Sequence, residues 1–202
     1  MASLAEIRRN IASRITNPVV GVLSKSGLNP NILTSVGLAI NIGAAYLIAT
    51  THFLLGGILI LISGLFDLLD GALARFTNQA TKFGAILDST VDRVSEAAIF
   101  CGLLIWYIPK GATLETALIF AALIGSFLVS YVKARGEGLG LECRVGLFTR
   151  AERVIVLAVG LLINQWVNQS IVIALWILVV FVYITVTQRL LYLRQQAKTR
   201  SD

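Results

Sequence analysis

Charge is what this chain has least of. Only 14% of its 202 residues are Asp, Glu, Lys or Arg, 56% are hydrophobic, and the mean hydropathy is +0.81. Those values lie well outside the range of soluble globular domains and exclude a solvated enzyme or binding module. Cysteine is also scarce. Cys101 falls in an apolar segment and Cys143 in a polar loop, with neither metal-ligand spacing nor an evident bridge partner, so they carry no functional reading. There is no long internal repeat and no soluble second domain. No continuous apolar run follows the basic N-terminal residues, as a cleaved signal would require.

What is present is apolar length. Windows near residues 32–51, 53–72, 84–107, 113–132, 151–166 and 170–190 are each about long enough to span, a helix needing about 20 residues to cross. The sequence predicts an all-α integral membrane protein with six transmembrane helices, the fifth being the shortest. An N-terminal interfacial amphipathic helix is expected before them. Leu4, Ile7, Ile11 and Ile15 recur there at helical spacing, with Arg8, Arg9 and Arg14 off the stripe. A single membrane domain covers 1–202, with a juxtamembrane segment at 1–28, a six-helix bundle at 29–192 and a polar, fraying tail at 193–202.

The few basic residues set the orientation, because short loops rich in Lys and Arg stay cytoplasmic. With six spans they gather on one side, and only Lys110 falls clearly opposite, so both termini are expected in the cytoplasm. The net charge of +6 does not indicate nucleic acid. The basic residues lie beside span ends rather than on one soluble face, which suits anionic headgroups and phosphorylated substrates better.

Against this background the segment from Asp67 to Asp92 stands out. It sets Asp67, Asp70, Asp88 and Asp92 in or beside segments apolar enough to lie in lipid, where a carboxylate at mid-bilayer costs roughly 2.5–3.5 kcal/mol. Asp67 and Asp70 are three apart and Asp88 and Asp92 four apart, so each pair shares one face of its helix. A short polar loop makes the two helices antiparallel neighbours. Four carboxylates brought together suit hard divalent ions and, with two such ions, the clamping of a phosphoryl group. Gly71 and Gly84 give clearance for a ligand and Arg75 a planar fork for phosphate, although packing glycines and a snorkelling anchor account for each singly. At Asn29-Pro30-Asn31, capping and anion binding by the free N–H groups of a helix start are equally good readings. An ion-coupled transporter is the rival class, since intramembrane carboxylates also mark ion paths. The aspartates cluster toward one face, however, and no discontinuous helix pair of the transporter kind is present.

The pattern Asp67-x2-Asp70-Gly71-x2-Ala74-Arg75-x8-Gly84-x3-Asp88-x3-Asp92 resembles, without gap or substitution, the signature of the CDP-alcohol phosphotransferases. The span count and the Pro30-Asn31-x2-Thr34 entry extend the likeness over nearly the whole chain. The resemblance implies that a CDP-lipid, CDP-diacylglycerol or CDP-archaeol, binds at the cytoplasmic face of the plasma membrane. An acceptor hydroxyl then displaces CMP in the presence of two Mg²⁺ ions, with Mn²⁺ as a substitute. It implies Asp67, Asp70, Asp88 and Asp92 as metal ligands, Asp92 also as general base, and Asn31, Ile32, Leu33, Thr34, Gly71, Arg75 and Thr81 around the CDP group. It also implies a homodimer.

For the acceptor, the stretches around Lys133, Arg153 and Arg189 look like those of bacterial phosphatidylinositol phosphate synthases, as does Phe100 to Leu104. That likeness implies inositol phosphate as acceptor, held by Ser130, Lys133, Arg135, Arg153 and Arg189. Positive-inside anchoring is the simpler account of the same basic residues. The segment Phe148-Thr149-Arg150-Ala151-Glu152-Arg153 departs from the Glu-Arg-Pro-Glu-Arg form of the inositol enzymes. It leaves archaetidylinositol phosphate and phosphatidylglycerophosphate synthases as alternatives.

Overall fold

The structure, a computed structural model, describes residues 20–21, 23–24, 29–143 and 145–201. The amphipathic helix expected over 1–16 lies outside the described residues. From Asn29 onward the chain forms six α-helices: α1 (Pro30–Ala49), α2 (Phe53–Phe76), α3 (Lys82–Tyr107), α4 (Thr113–Gly138), α5 (Arg150–Ile163) and α6 (Ser170–Ser201). A single 3₁₀ turn, Ile108–Lys110, joins α3 to α4.

Local chemistry starts these helices where the sequence suggests. Asn29 caps α1, its side chain accepting from the Asn31 N–H at 3.0 Å, with Pro30 in the first helical position. Thr81 caps α3 by accepting from the Gly84 N–H at 2.9 Å. Thr149 and Glu152 form a reciprocal capping box at the start of α5. Two differences from the sequence reading appear at the other end. α6 runs unbroken through Ser201 instead of fraying after residue 192, and its Gln196 donates back to the Glu142 carbonyl at 2.8 Å. α5 has only 14 residues, about 21 Å at 1.5 Å per residue, against a hydrocarbon core of about 30 Å.

Among the described residues four helices are long and apolar enough to cross a membrane: α1, α2, α4 and α6 over Ser170–Thr199. α3 has the length, but Lys82, Asp88, Asp92, Arg93 and Glu96 interrupt its apolar run. The surface agrees with a membrane protein. Tyr46, Ile105, Ile124, Trp176 and Val180 are exposed, as are many other large apolar groups, an abundance that water would penalise and lipid does not.

α1 packs along both α2 and α3, α4 along α6, and α5 joins the two groups by lying against α2 and α6. The core between them holds Phe100, Leu103, Ile119, Leu161, Leu175 and Leu178, each almost wholly buried. Small residues set the spacing, as expected where helices associate by close packing rather than by hydrophobic expulsion. A Cβ on Gly102 would stand 2.5 Å from the Ala45 carbonyl oxygen, and one on Gly57 3.1 Å from that of Ala158. A polar relay ties α1 to α2 near the aspartates. Asn41 Nδ2 donates to Ser63 Oγ at 2.6 Å, and Ser63 Oγ donates to the Gly37 carbonyl at 3.0 Å.

The close contact of α3 with α1 predicts that Gly102→Leu lowers the thermal midpoint of the detergent-purified protein, by overpacking worth about 1–3 kcal/mol. Gly138→Ala, where an added Cβ meets nothing within 4 Å, serves as the control and should leave the midpoint unchanged.

Candidate active site

The end of α2 and the start of α3 lie beside each other because residues 77–81 reverse the chain tightly. Asn78 takes a left-handed conformation (φ 54°), and the Gln79 N–H closes on the Ala74 carbonyl at 3.0 Å. The turn brings Asp67 and Asp70 of α2 within electrostatic reach of Asp88 on α3, and Asp67 within reach of Asp92 as well. The four carboxylates therefore share one neighbourhood, linked pairwise by electrostatic interaction. Asp70 is buried, and its Oδ2 accepts from Thr34 Oγ1 of α1 at 2.6 Å. Asp67 lies against Gly37 of α1, where a Cβ would come within 3.2 Å of Oδ1.

A cation stands between the two halves of the cluster. Arg150, the first residue of α5, places Nη1 2.6 Å from Asp67 Oδ2 and 2.7 Å from Asp92 Oδ1. Despite that approach Asp92 Oδ1 receives no hydrogen bond of acceptable angle, and Arg150 Nε has no hydrogen-bond partner, so the grip on Asp92 is charge on charge and Arg150 forms no matched fork. Arg93 sits 3.9 Å from the other oxygen of Asp92 and also donates to the Ser89 carbonyl. One turn beyond Asp92, Glu96 is held differently. Its two oxygens accept from Arg153 Nε at 2.7 Å and Nη2 at 3.1 Å, with both side chains buried.

Beside the aspartates opens a cleft of about 210 Å³, lined by Asn31, Thr34, Asp70, Gly71, Arg75, Thr81, Gly84 and Asp88 among others. Five of the seven residues expected around a CDP group therefore meet here. The other two do not line it. Ile32 points outward at half exposure, and Leu33 is buried against Val20 and Leu73 as packing. A Cβ on Gly71 would meet only the flexible Arg75 guanidinium, at an ordinary 3.5 Å, and one on Gly84 would crowd its own cap, Thr81 Oγ1, at 3.0 Å and meet Asn31 Oδ1 at 3.5 Å.

The five residues expected to hold the acceptor do not form one pocket. Ser130 lines a groove between α3 and α4 with Arg93 and Tyr131. Lys133 reaches Glu137 at 3.8 Å on the exposed face of α4, where Arg135 is also exposed. Arg153 is committed to Glu96. Arg189 is buried and donates to the backbone carbonyls of Val129 at 2.5 Å and Val145 at 3.0 Å. It fixes the loop before α5 to α4, beneath Gly146, whose φ of 138° and close approach to the guanidinium exclude a side chain. Here anchoring, rather than anion binding, accounts for the residue.

Sequence reasoning missed Arg150, Glu96 and Gly37 as parts of the site. Glu96 was legible, because Asp88, Asp92 and Glu96 recur at four-residue intervals along one helix face. Nothing local links Arg150 to carboxylates on α2 and α3.

The donor set fits a hard divalent cation, being all carboxylate oxygen and including a buried oxygen of Asp92 that lacks a hydrogen bond. As the side chains stand, no three His, Cys, Asp or Glu converge on one point among the described residues. Asp67 and Asp92 converge on Arg150 instead.

Comparison with known proteins agrees with this geometry. A family model described as CDP-alcohol phosphatidyltransferase matches residues 28–187. The chain belongs to that family. Among other CDP-alcohol phosphatidyltransferases it is 38% identical over 193 residues to a phosphatidylinositol phosphate synthase of Mycobacteroides abscessus, covering 91% of this chain and 86% of that one. It is 36% identical over 168 residues to an archaetidylinositol phosphate synthase of Pyrococcus horikoshii, covering 83% and 84%. The crystal structure of the Mycobacterium tuberculosis phosphatidylinositol phosphate synthase with CDP-DAG bound superposes with a TM-score of 0.80 at 34% identity, covering 89% of this chain and 94% of that one. The same enzyme is also known in complex with manganese and citrate. The chain is accordingly a transferase of the CDP-alcohol phosphatidyltransferase family.

The buried pair predicts an asymmetry. Glu96→Ala leaves the Arg153 charge without a partner and should cost about 3–5 kcal/mol, whereas replacing both residues by apolar groups should cost less than the single change. Thermal unfolding of the three proteins in one detergent measures it.

Proposed function

We propose that this protein is an integral membrane phosphatidylinositol phosphate synthase. It transfers the phosphatidyl group of CDP-diacylglycerol to a hydroxyl of inositol phosphate and releases CMP. The observation that carries the reading is the junction of the cleft with the aspartate cluster. Asp70 and Asp88 belong to both, so a nucleotide diphosphate seated among Asn31, Thr34, Gly71, Arg75 and Thr81 presents its phosphates to the carboxylates.

Asp67, Asp70, Asp88 and Asp92 would hold two Mg²⁺ ions, with Mn²⁺ able to substitute. The ions would neutralise the diphosphate and polarise the phosphorus that is attacked. The chain's own groups do the rest. The start of α1, with Asn31 and Thr34, and Arg75 bind and orient the CDP part. Thr34 fixes the Asp70 carboxylate by its hydrogen bond. Asp92 accepts the proton of the acceptor hydroxyl as its oxygen bonds to the lipid-side phosphorus, and the bond from that phosphorus to the CMP oxygen breaks. Lys133 and Arg135, exposed on α4, receive the acceptor phosphate, and Arg153 lies deeper in the same half of the molecule.

In this reading all six helices span, with α3 and α5 buried enough by their neighbours to carry charge or fall short. Both termini and the site face the cytoplasm at the plasma membrane. At the opposite end Lys110 sits 2.9 Å over the Trp106 ring, a pairing suited to the outer interface. The chain acts as a homodimer. The likeness to the Pyrococcus enzyme supports a second reading, the same transfer from CDP-archaeol.

Purified protein supplied with CDP-diacylglycerol and Mg²⁺ should release CMP with inositol phosphate and not with inositol, glycerol phosphate or serine. Turnover only with glycerol phosphate or serine would refute this acceptor while leaving the family intact. Release should cease with EDTA and return with Mg²⁺ or Mn²⁺. It should persist in detergent, where an ion-coupled transporter has no gradient to use and would release none. Asp92→Asn should still bind the CDP-lipid but lose transfer by about 10²-fold or more; wild-type turnover in that variant would remove Asp92 as the base.

A further inference from the structure

Two arginines one turn apart on α5 are held in opposite ways. Arg153 is locked, both nitrogens matched to Glu96 in a buried fork. Arg150 is held by one nitrogen shared between two carboxylates, and both its Nε and the Asp92 oxygen it approaches lack a hydrogen bond. A half-buried guanidinium whose one nitrogen is shared between two carboxylates while its buried Nε has no partner is poorly matched to its place. The oxygens it holds belong to two of the four residues read as metal ligands.

We propose that Arg150 is an exchangeable counter-ion of the aspartate cluster. It competes with divalent cations for Asp67 and Asp92, and metal loading releases its guanidinium. The inference rests on the reading of the aspartates as a divalent-cation site. One guanidinium supplies a single positive charge to four carboxylates, while two divalent ions supply four, so metal neutralises the cluster more fully. Tethering compensates Arg150 by an effective concentration on the order of millimolar, which sets the range in which the two compete. Release has two consequences for the reaction. It uncovers Asp92 Oδ1, the oxygen that must take the acceptor proton. It also withdraws a wall of the small cavity, about 20 Å³, that Asp67, Arg150, Glu96 and Arg153 line together, opening the way to Arg153. Metal would therefore enter before the acceptor.

The first test uses wild-type protein in detergent. Phenylglyoxal, which modifies accessible guanidinium groups, is applied in EDTA or in saturating Mn²⁺, and peptides carrying Arg150 and Arg153 are quantified by mass spectrometry. Labelling of Arg150 should rise several-fold with Mn²⁺ while that of Arg153 stays low; unchanged or reduced labelling of Arg150 overturns the proposal.

The second test titrates Mn²⁺ by electron paramagnetic resonance into wild type, Arg150→Gln and Arg93→Gln. Arg150→Gln should bind Mn²⁺ several-fold more tightly. Arg93→Gln removes an equal charge beside Asp92 without freeing the shared oxygens, and should change little. Equal tightening in both variants would reduce the effect to general charge, and weaker binding in Arg150→Gln would make Arg150 a support of the metal site; either overturns the proposal. If Arg150→Gln does not fold, the labelling experiment decides alone. Asp70→Asn separates this inference from the reading beneath it. Mn²⁺ binding that Asp70→Asn weakens, with Arg150 unlabelled, leaves the metal site standing and removes the exchange. No Mn²⁺ binding by wild type removes both.

Discussion

The constraint on which this structure depends is the gathering of four carboxylates inside a bundle that is otherwise apolar. Such a cluster repels itself and loses part of its hydration, and three of its members, Asp67, Asp70 and Asp92, meet a compensating partner from another helix. α1 supplies Thr34 to Asp70 and the bare backbone of Gly37 beside Asp67. α5 supplies Arg150 to Asp67 and Asp92. Much of the fold can be understood as the means of bringing α1 and α5 to the α2–α3 pair.

That view explains why α5 is short and α3 is polar. α5 begins at the level of the aspartates, because its first residue is their counter-ion and its capping box fixes where that residue lies. It cannot extend further toward that side without leaving them. α3 carries Asp88, Asp92 and Glu96 along one face, where Arg150 and Arg153 of α5 meet Asp92 and Glu96, and the same face further along the helix delivers Ile99, Phe100 and Leu103 to the core. The glycines at positions 57 and 102 let carbonyl-to-helix distances fall low enough for this arrangement to close.

Charge in this molecule is divided between fixed and accessible roles, and the division does not follow residue type. Arg153 and Arg189 are both buried, one in a carboxylate fork and one across two backbone carbonyls, and they brace the helix ends they join. Lys133 and Arg135 stay at the surface, available to an anion. Basic residues that looked equivalent as an acceptor set thus separate into buried braces and exposed cations.

The all-helical class and the meeting of the aspartates with Asn31, Thr34, Gly71, Arg75 and Thr81 were legible in the sequence, because their determinants are local. Apolar length, the cap at Asn29-Pro30 and the three- and four-residue spacings of the aspartates act within one helix or one hairpin. The α2–α3 turn supplies most of the residues that line the cleft beside the aspartates. What only the tertiary structure decided is everything that crosses from the first three helices to the last three. The bridging of Asp67 and Asp92 by Arg150 and the burial of Arg153 on Glu96 join residues 57–83 positions apart, and within the last three helices Arg189 staples carbonyls 44 and 60 positions away, none of which a periodicity encodes. Even Leu33, inside the cleft's own sequence motif, went to packing, because a helix shows only one face to a ligand and the opposite face is claimed by the core.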